Sequence, residues 1–277
     1  MRAAGLIQRL GARDGGAADA QIRDTRRDPA TGVIGALDVR RAASDIAARV
    51  RNVRGAGEFP LVIGGDCTLM LGVFQALPRG CGLWFIDGHA DFYDGESSPT
   101  GEAADMDLAI LTGHGPAGLI DGDPPAPRAA VGATALLDPA ATVLLGHRPS
   151  ELSADVAFEN ARLDPAIHAL TAAEVRDCGT ARVGEEAAAR LVGAPAWLHL
   201  DLDVLDETAL PAVSYPQPLG LDWEELTDLV SPLVAAPALV GISIADFNPE
   251  RDPDGVHANR VVELLETLLA APGGRRA

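Results

Sequence analysis

Short apolar segments recur along this chain, separated by stretches with helical patterns. Each is four to six residues long and apolar along its length: residues 59–63, 83–86, 141–145, 196–200 and 239–244. Strands without polar alternation are typical of parallel sheets whose two faces are both covered by helices. The pattern therefore predicts an α/β fold with a mostly parallel central sheet.

The stretches between these segments predict helices. Residues 39–53 place apolar side chains at helical spacing with Arg between them, which indicates an amphipathic surface helix. Asp222 and Glu225 form a capping-box pattern, which predicts a helix running to Val234. Other predicted elements are helices at 68–77, 103–112, 182–191 and 261–271, a short first strand within 3–10, and a surface connection at 116–139. No repeat or linker divides the chain, so residues 1–277 are predicted to form a single domain.

Charge and composition exclude several function classes. The chain has 40 acidic and 22 basic residues, and its net charge of −18 argues against nucleic acid, anionic membranes and polyanionic substrates as partners. All 22 basic residues are Arg, and the lack of Lys excludes a Schiff-base lysine, a P-loop lysine and a Ser-Lys dyad. Three cysteines without a CxxC pair predict no disulfide framework. Without a signal-like or membrane-length apolar run, the predicted location is the cytoplasm.

A polar motif follows the second apolar segment directly. Asp87, His89 and Asp91 occupy alternate positions just after residues 83–86. Alternate side chains of an extended chain point the same way, so two carboxylates and an imidazole converge beyond the strand's carboxyl end. This concentration of donors is typical of a metal site. For this motif alone, a solvated acidic loop with an incidental His is the alternative.

Polar groups also follow three of the other apolar segments, residues 59–63, 196–200 and 239–244. They are Asp66, Cys67, Asp201, Asp203, Asp206, Asp246 and Asn248. Ligands of open α/β sheets bind outside the carboxyl ends of the strands. Acidic side chains gathered there would repel one another unless cations hold them. Oxygen-rich donors with one imidazole favour Mn²⁺ over a thiolate-dominated Zn²⁺ site.

Four motifs in order resemble those of the arginase/agmatinase (ureohydrolase) family, and they span about residues 60 to 250. They are Gly64-Gly65-Asp66-Cys67-Thr68, Asp87-Gly88-His89-Ala90-Asp91, Asp201-Leu202-Asp203-Val204-Leu205-Asp206 and Ile244-Ala245-Asp246-Phe247-Asn248-Pro249. They resemble the family's GGDHS, D-A-H-x-D, D-x-D-x-x-D and D-x-x-E-x-N-P motifs. The resemblance implies a three-layer αβα sandwich with a mostly parallel central sheet, assembled as a trimer or hexamer.

The resemblance also implies a centre of two Mn²⁺ ions. Carried over residue by residue, the ligands are Asp87 and Asp201 as bridges, Cys67 and Asp91 on one ion, and His89 and Asp203 on the other. Two adjacent divalent ions lower the pKa of a bridging water and supply hydroxide near neutral pH. This hydroxide is expected to attack a planar guanidine or amidine carbon and expel an amine.

Three positions depart from the family pattern. Cys67 stands where the family usually has a His ligand. A thiolate there would weaken metal binding, bias the site toward Zn²⁺ or Fe²⁺, or raise the pKa of the bridging water; the alternative is a buried thiol and the loss of one metal site. Ala104 occupies the place of a His thought to shuttle protons, so Glu102 or Asp105 is predicted to serve instead. Asp246 replaces the Glu that holds the guanidinium; it keeps the charge but is one methylene shorter. The predicted substrate is therefore a cationic modified guanidine or amidine rather than plain arginine.

The remaining candidate residues are assigned by position. Substrate contacts are predicted for the loop residues Tyr93, Thr100 and Gln217, with Tyr215 as a further candidate and apolar or solvent contact as the alternative. His199 is predicted to have a packing role, with its side chain directed away from the site. Structural roles are predicted for His114, His147, His168 and His257.

Two function hypotheses of different classes follow. The first is a metal-dependent hydrolase acting on a C–N bond of a linear guanidino or amidino compound. The second is a degenerate arginase-like protein with a structural or regulatory role. Five of the six ligand positions are kept, which favours the enzyme. A single-metal deacetylase on a related scaffold is a third alternative, and the complete pair Asp201 and Asp203 argues against it.

Overall fold

A single parallel sheet forms the centre of this computed structural model, which describes residues 1–120 and 135–270. The six strands are β1 (Leu61–Ile63), β2 (Gly82–Ile86), β3 (Thr142–His147), β4 (His168–Thr171), β5 (Ala196–Asp201) and β6 (Leu239–Ala245). Their order across the sheet is β1-β6-β5-β2-β3-β4, and every neighbouring pair is parallel. The predicted parallel α/β sheet is confirmed.

Helices cover both faces of this sheet. Within the described residues they are α1 (Leu6–Leu10), α2 (Ala36–Gly55), α3 (Leu69–Ala76), α4 (Asp107–Leu111), α5 (Ala154–Asn160), α6 (Ala172–Cys178), α7 (Thr180–Arg190), α8 (Trp223–Ala235) and α9 (Val256–Ala270). None of them is long and apolar enough to span a bilayer. The capping box predicted for the helix that begins after Asp222 is present, because Asp222 and Glu225 each accept from the other's backbone N–H.

Successive side chains of a strand enter different cores. Trp84 and Ile86 pack with residues of α6, α7, α8 and α9, whereas Leu83 and Phe85 pack with residues of α2, α3 and α4. This alternation is the two-residue period of an extended chain with helices on both sides. It produces the three-layer αβα sandwich that the family resemblance implied.

Some predicted elements differ from the observed ones. The predicted strand within residues 3–10 is wrong: Leu6 and Leu10 lie four residues apart on the helix α1 and pack against the same core. The sequence analysis missed α5, β4 and α6, which are all short, and β4 is a half-buried edge strand. Residues 121–134 of the predicted surface connection, and Ala271 at the predicted end of the last helix, lie outside the described residues.

The sheet topology locates the crevice in which ligands of such folds bind. From β2 the chain continues to its neighbour β3 on one side, whereas from β5 it continues to β6 on the other. The strand order therefore reverses between β2 and β5, and a crevice at such a point opens beyond the carboxyl ends of the strands. Phe85 of β2 pairs with His199 of β5, and His199 pairs with Ser243 of β6. Asp87 and Asp201, each two residues further on, consequently lie side by side at this crevice.

Candidate metal centre

Three overlapping groups of donor atoms lie at the carboxyl ends of the central strands. They are Cys67, Asp87, His199 and Asp201; then Asp87, His89 and Asp203; then Asp201, Asp203 and Asp246. Within each group the donor atoms lie within 4.8 Å of one another. Because Asp87, Asp201 and Asp203 each belong to two groups, the three groups join into one continuous donor cluster. Every member is buried except His89, which is partly buried.

Local hydrogen bonds turn the chain so that its acidic side chains converge. After β2, the Oδ1 of Asp87 accepts from the backbone N–H of His89 at 2.7 Å. After β5, the Oδ1 of Asp201 accepts from the N–H of Asp203 at 2.8 Å. The two turns meet where Asp203 Oδ1 accepts from the N–H of Gly88 at 3.1 Å and Oδ2 lies 3.0 Å from His89 Nδ1. Each motif thus orients its own side chains and also contacts the other motif.

Cys67 lies just before α3 and points into the same cluster. Its Sγ is 2.7 Å from Asp201 Oδ2 and 3.5 Å from Asp87 Oδ2. Burial, together with the charges of Asp201 and Asp87, raises the pKa of the Cys67 thiol well above its usual value. Without a cation the thiol is therefore protonated and donates to Asp201.

The cluster holds more negative charge than its surroundings neutralise. Burial and neighbouring carboxylates raise the pKa values of Asp87 and Asp201 well above the ordinary value for Asp. Burial opposes the charged forms of Asp203 and His89 as well. The electrostatic attraction between these two side chains outweighs the effect of burial, so the pKa of Asp203 is lowered and that of His89 is raised to about 10. A buried carboxylate cluster of this kind is stabilised by divalent cations, so the donor set fits a metal centre.

Asp91, predicted as a ligand, belongs to none of the three donor groups among the described residues. It is buried, and its backbone has a φ of 47°, in the left-handed region. Its carboxyl group lies against that of Asp107 at the start of α4, and burial raises the pKa values of both. The charge of Asp87 also raises the pKa values of both carboxyl groups. This acidic pair adjoins the donor cluster, and the sequence analysis missed Asp107.

Arg148 is a second residue that the sequence analysis missed. Its side chain is almost fully buried, and the guanidinium donates to the backbone carbonyls of residues 203, 204, 205, 217 and 218 at 2.8–3.4 Å. These bonds connect the end of β3 to the loop that follows Asp203. Only a parallel sheet that sets β3 beside β2, and β2 beside β5, brings the two segments together, so the local sequence carried no signal for this contact.

The prediction that His199 points away from the site is wrong. His199 and Asp201 are two residues apart in β5, so their side chains project from the same face of the sheet. Its ring stacks on Phe85 at 4.9 Å between centroids, and its Nε2 lies 3.2 Å from Cys67 Sγ. Burial lowers the pKa of His199 to about 3, so the imidazole is neutral. Strand alternation, applied with the correct spacing, would have placed this residue at the site.

Three of the predicted catalytic and substrate residues lie together on the loop before α4. Asp105 accepts hydrogen bonds from the hydroxyls of Ser98 at 2.7 Å and Thr100 at 2.6 Å. Glu102 is exposed and accepts from the hydroxyl of Tyr215 at 2.9 Å. The Tyr215 ring stands edge-on to His89 at 6.4 Å between centroids. Glu102 and Tyr215 therefore flank the partly buried side of the cluster.

Asp246 joins the cluster directly after β6. Its Oδ2 accepts from the backbone N–H of Ser214 at 3.0 Å, and its backbone has a φ of 61°. Burial and the charge of Asp203 raise its pKa to about 6.

Tyr93 and Gln217, both predicted to contact substrate, have other interactions. The Tyr93 hydroxyl donates to the carbonyl of Asp155 at 3.0 Å, and its ring stacks on Phe158 of α5. The backbone carbonyl of Gln217 accepts a hydrogen bond from Arg148, and no donor among the described residues reaches the buried side-chain oxygen of Gln217. Their roles in substrate binding stay predictions.

Comparison with solved structures places this architecture among arginases. The arginase from Bacillus cereus superimposes with a TM-score of 0.80 at 26% identity, covering 98% of this chain and 90% of that one. The agmatine ureohydrolase of Thermoplasma volcanium gives a TM-score of 0.61 at 22% identity, covering 83% of this chain and 68% of that one. The second likeness supports the shared fold alone.

Sequence comparison agrees with the structural likeness. The arginase of Bacillus caldovelox is 30% identical over 236 residues, which are 83% of this chain and 75% of that protein. Residues 4–270 match the arginase family as a whole. With the motifs, the sandwich and the acidic cluster in agreement, this chain belongs to the arginase family.

Proposed function

We propose that this protein is a metal-dependent hydrolase that cleaves a C–N bond in a linear guanidino or amidino compound other than plain arginine. The observation that carries the proposal is the continuous donor cluster, in which Asp87, Asp201 and Asp203 are each shared between adjacent groups. Shared carboxylates are what a centre of two neighbouring divalent ions requires. Mn²⁺ is the ion that the oxygen-rich part of the set favours. Family membership supports the same reaction class.

The chain's own residues would bind and orient the substrate. Divalent ions held by Asp87, Asp201 and Asp203 would supply hydroxide near neutral pH, because they lower the pKa of coordinated water. Asp246, with a pKa of about 6, is charged at neutral pH, and it suits the cationic head of a guanidinium or amidinium. Its carboxylate is fixed by the Ser214 N–H at 3.0 Å. Because an Asp reaches less far than the Glu it replaces, the substrate head must sit closer to β6 than it would in an arginase.

Proton transfer to the leaving amine is assigned to Glu102 rather than Asp105. Glu102 is exposed beside the cluster, and the Tyr215 hydroxyl at 2.9 Å holds it there. Asp105 is fixed by the hydroxyls of Ser98 and Thr100, so its part is to shape the loop that carries Glu102. Glu102 therefore takes the role that Ala104 cannot perform.

A substrate panel tests the proposal. Protein loaded with Mn²⁺, and separately with Zn²⁺, is incubated with guanidino and amidino compounds, arginine among them, while urea, ammonia and amine release are measured. We expect metal-dependent turnover of at least one compound in preference to arginine. Asp203→Asn should lower it by at least about 100-fold, since it removes a shared carboxylate charge. Metal-loaded protein that turns over no compound of the panel, or turns over arginine best, would overturn the proposal.

One observation favours the second candidate, a non-catalytic arginase-like protein. The protonated Cys67 thiol donates to Asp201 at 2.7 Å, so the cluster satisfies part of its own hydrogen bonding without a cation. Elemental analysis after purification with added Mn²⁺ separates the two candidates. Two equivalents of metal support the hydrolase, whereas none, with Cys67→His restoring none, supports the non-catalytic candidate.

A further inference from the structure

One departure from the family pattern lies against a buried histidine in the structure. Cys67 occupies the place of a usual His ligand, and His199, 132 residues further along the chain, has its Nε2 3.2 Å from the Cys67 Sγ. We propose that His199 is a metal ligand, and that Cys67 and His199 with Asp87 and Asp201 form a sulfur–nitrogen–oxygen pocket selective for Zn²⁺ or a similar ion. This inference rests on the proposed metal-dependent function and identifies the metal and a ligand of the same site.

The donor spacing fits a four-coordinate ion. A tetrahedral Zn²⁺ site with bonds of about 2.0 Å to nitrogen or oxygen and about 2.3 Å to sulfur places its sulfur about 3.5 Å from the other donors. In the structure the Cys67 Sγ lies 3.2 Å from His199 Nε2, 3.5 Å from Asp87 Oδ2 and 2.7 Å from Asp201 Oδ2. Only the distance from Sγ to Asp201 Oδ2 is a close hydrogen bond, and this distance must lengthen by under about 1 Å for both atoms to bind the ion. When the thiolate binds the ion, the thiol proton leaves to solvent.

The hydrogen bonds of Ser243 prepare the His199 ring for this role. Trp197 Nε1–H donates to Ser243 Oγ at 2.9 Å, and the Ser243 hydroxyl donates to the sulfur of Met70 at 3.2 Å. His199 Nδ1 lies 2.8 Å from the same Oγ, so a hydrogen bond between the two groups holds the ring. With Nδ1 protonated and donating to Ser243, the lone pair of Nε2, 3.2 Å from the Cys67 Sγ, would be free to bind an ion. A metal-binding His typically donates its other ring N–H to a fixed partner in this way.

Packing holds the ring at this point. His199 is fully buried, stacks on Phe85 and lies on the same sheet face as Asp201. Asp91, by contrast, faces Asp107, and among the described residues it is not part of the donor group formed by Cys67, Asp87, His199 and Asp201. His199 therefore replaces Asp91 as the partner of Cys67 on the first ion. An imidazole and a thiolate together favour Zn²⁺, Co²⁺ or Fe²⁺ over Mn²⁺.

Metal binding, measured without substrate, tests the inference. The full-length protein is stripped with a chelator and titrated with Co²⁺, with Zn²⁺ and with Mn²⁺. Co²⁺ should produce a near-ultraviolet charge-transfer band from thiolate to metal and the strong visible bands of a tetrahedral ion. Cys67→Ser should abolish the charge-transfer band, and Cys81→Ser, which removes a buried thiol outside the cluster, should leave it unchanged.

The decisive variant is His199→Asn. The Asn amide can still reach Ser243, but it has no group at the Nε2 position. We expect Zn²⁺ affinity to fall by at least about tenfold and Mn²⁺ affinity to change less, with the visible Co²⁺ bands weakened. A folded His199→Asn protein with unchanged Zn²⁺ affinity would overturn the inference, as would wild-type protein lacking the charge-transfer band.

X-ray absorption of Zn²⁺-loaded His89→Gln protein keeps the test decisive if His199→Asn does not fold. It should detect one sulfur and one imidazole on the ion, and a spectrum without the imidazole would overturn the inference. Metal bound in this way without turnover of any compound would instead reject the proposed hydrolase and leave this inference standing.

Discussion

Replacing Arg148 with Met is expected to destabilise the protein and loosen its metal centre. The guanidinium donates to five backbone carbonyls, and its side chain is 1% exposed. Two of these, on Val204 and Gln217, also accept from the backbone N–H groups of Leu221 and Glu207 and so stay paired in the variant. The carbonyls of Asp203, Leu205 and Pro218 rely on Arg148. Met fills similar volume but donates nothing to them.

The magnitude follows from these three groups. A buried carbonyl left without a donor costs about 1–3 kcal/mol, so those of the buried residues Asp203 and Leu205 would together cost about 2–6 kcal/mol. Water can replace Arg148 at the carbonyl of the exposed Pro218. Removal of the guanidinium recovers its desolvation cost but loses its attraction to Asp203 and Asp87; these two contributions oppose each other, which leaves a net loss of about 3 kcal/mol. Domains of this kind have total stabilities of about 5–15 kcal/mol, so the loss is easily measured.

Urea unfolding of metal-stripped protein measures this loss, and Arg182→Met is the matched control. Arg182 is exposed and pairs with Glu186 one helical turn away, so its replacement should change the free energy of unfolding by less than about 0.5 kcal/mol. Arg148→Met should also weaken Mn²⁺ binding by about tenfold, because the loop after Asp203 loses its anchor. A loss below about 1 kcal/mol with unchanged Mn²⁺ affinity would refute this account of Arg148.

Three further outcomes are expected. In metal-stripped protein, protonated His89 contributes stability that is complete below its unfolded pKa of about 6.5 and is lost as the pH rises toward about 10. The melting temperature should therefore fall over this range, and His89→Gln should remove much of the fall; an unchanged slope would contradict the role of the His89–Asp203 pair. Asp222→Ala removes the cap of α8 and should lower the free energy of unfolding, measured in thermal melts, by about 1 kcal/mol. The control Asp228→Ala, at an exposed position of the same helix, should lower it by less than about 0.5 kcal/mol, and equal losses would contradict the capping role of Asp222. Metal binding should release protons from Cys67 and from the carboxylates whose pKa values are raised. The binding heat measured by calorimetry should therefore differ between two buffers of different ionisation enthalpy, and metal affinity should drop as the pH falls.

Much of the fold could be predicted because its signals are local. Five of the six observed strands coincide with apolar segments of the sequence, and each is apolar because helices cover both of its faces. The strand β4 was missed because only its two middle residues are apolar; it is a half-buried edge strand with His168 and Thr171 at its ends. The helix α1 was misassigned because five residues are too few for periodicity to distinguish it from a strand.

The sequence by itself determined which segments end in metal-binding side chains. Asp87 and His89, and Asp201 and Asp203, are neighbours along the chain, and the two-residue period of extended backbone predicts that each pair converges. In motifs of this kind, the spacing of the residues along the chain is enough to predict that their side chains point the same way.

Only the tertiary structure decided how the site is completed. Cys67 and His199 meet across 132 residues, Asp107 faces Asp91 from the start of a helix, and Arg148 anchors a loop that begins 55 residues later. These contacts depend on strand order, on the register of β2, β5 and β6, and on where α3 and α4 pack against the sheet. Strand alternation can place His199 on the same sheet face as Asp201, but no local pattern encodes its contact with Cys67, which depends on the strands being set side by side.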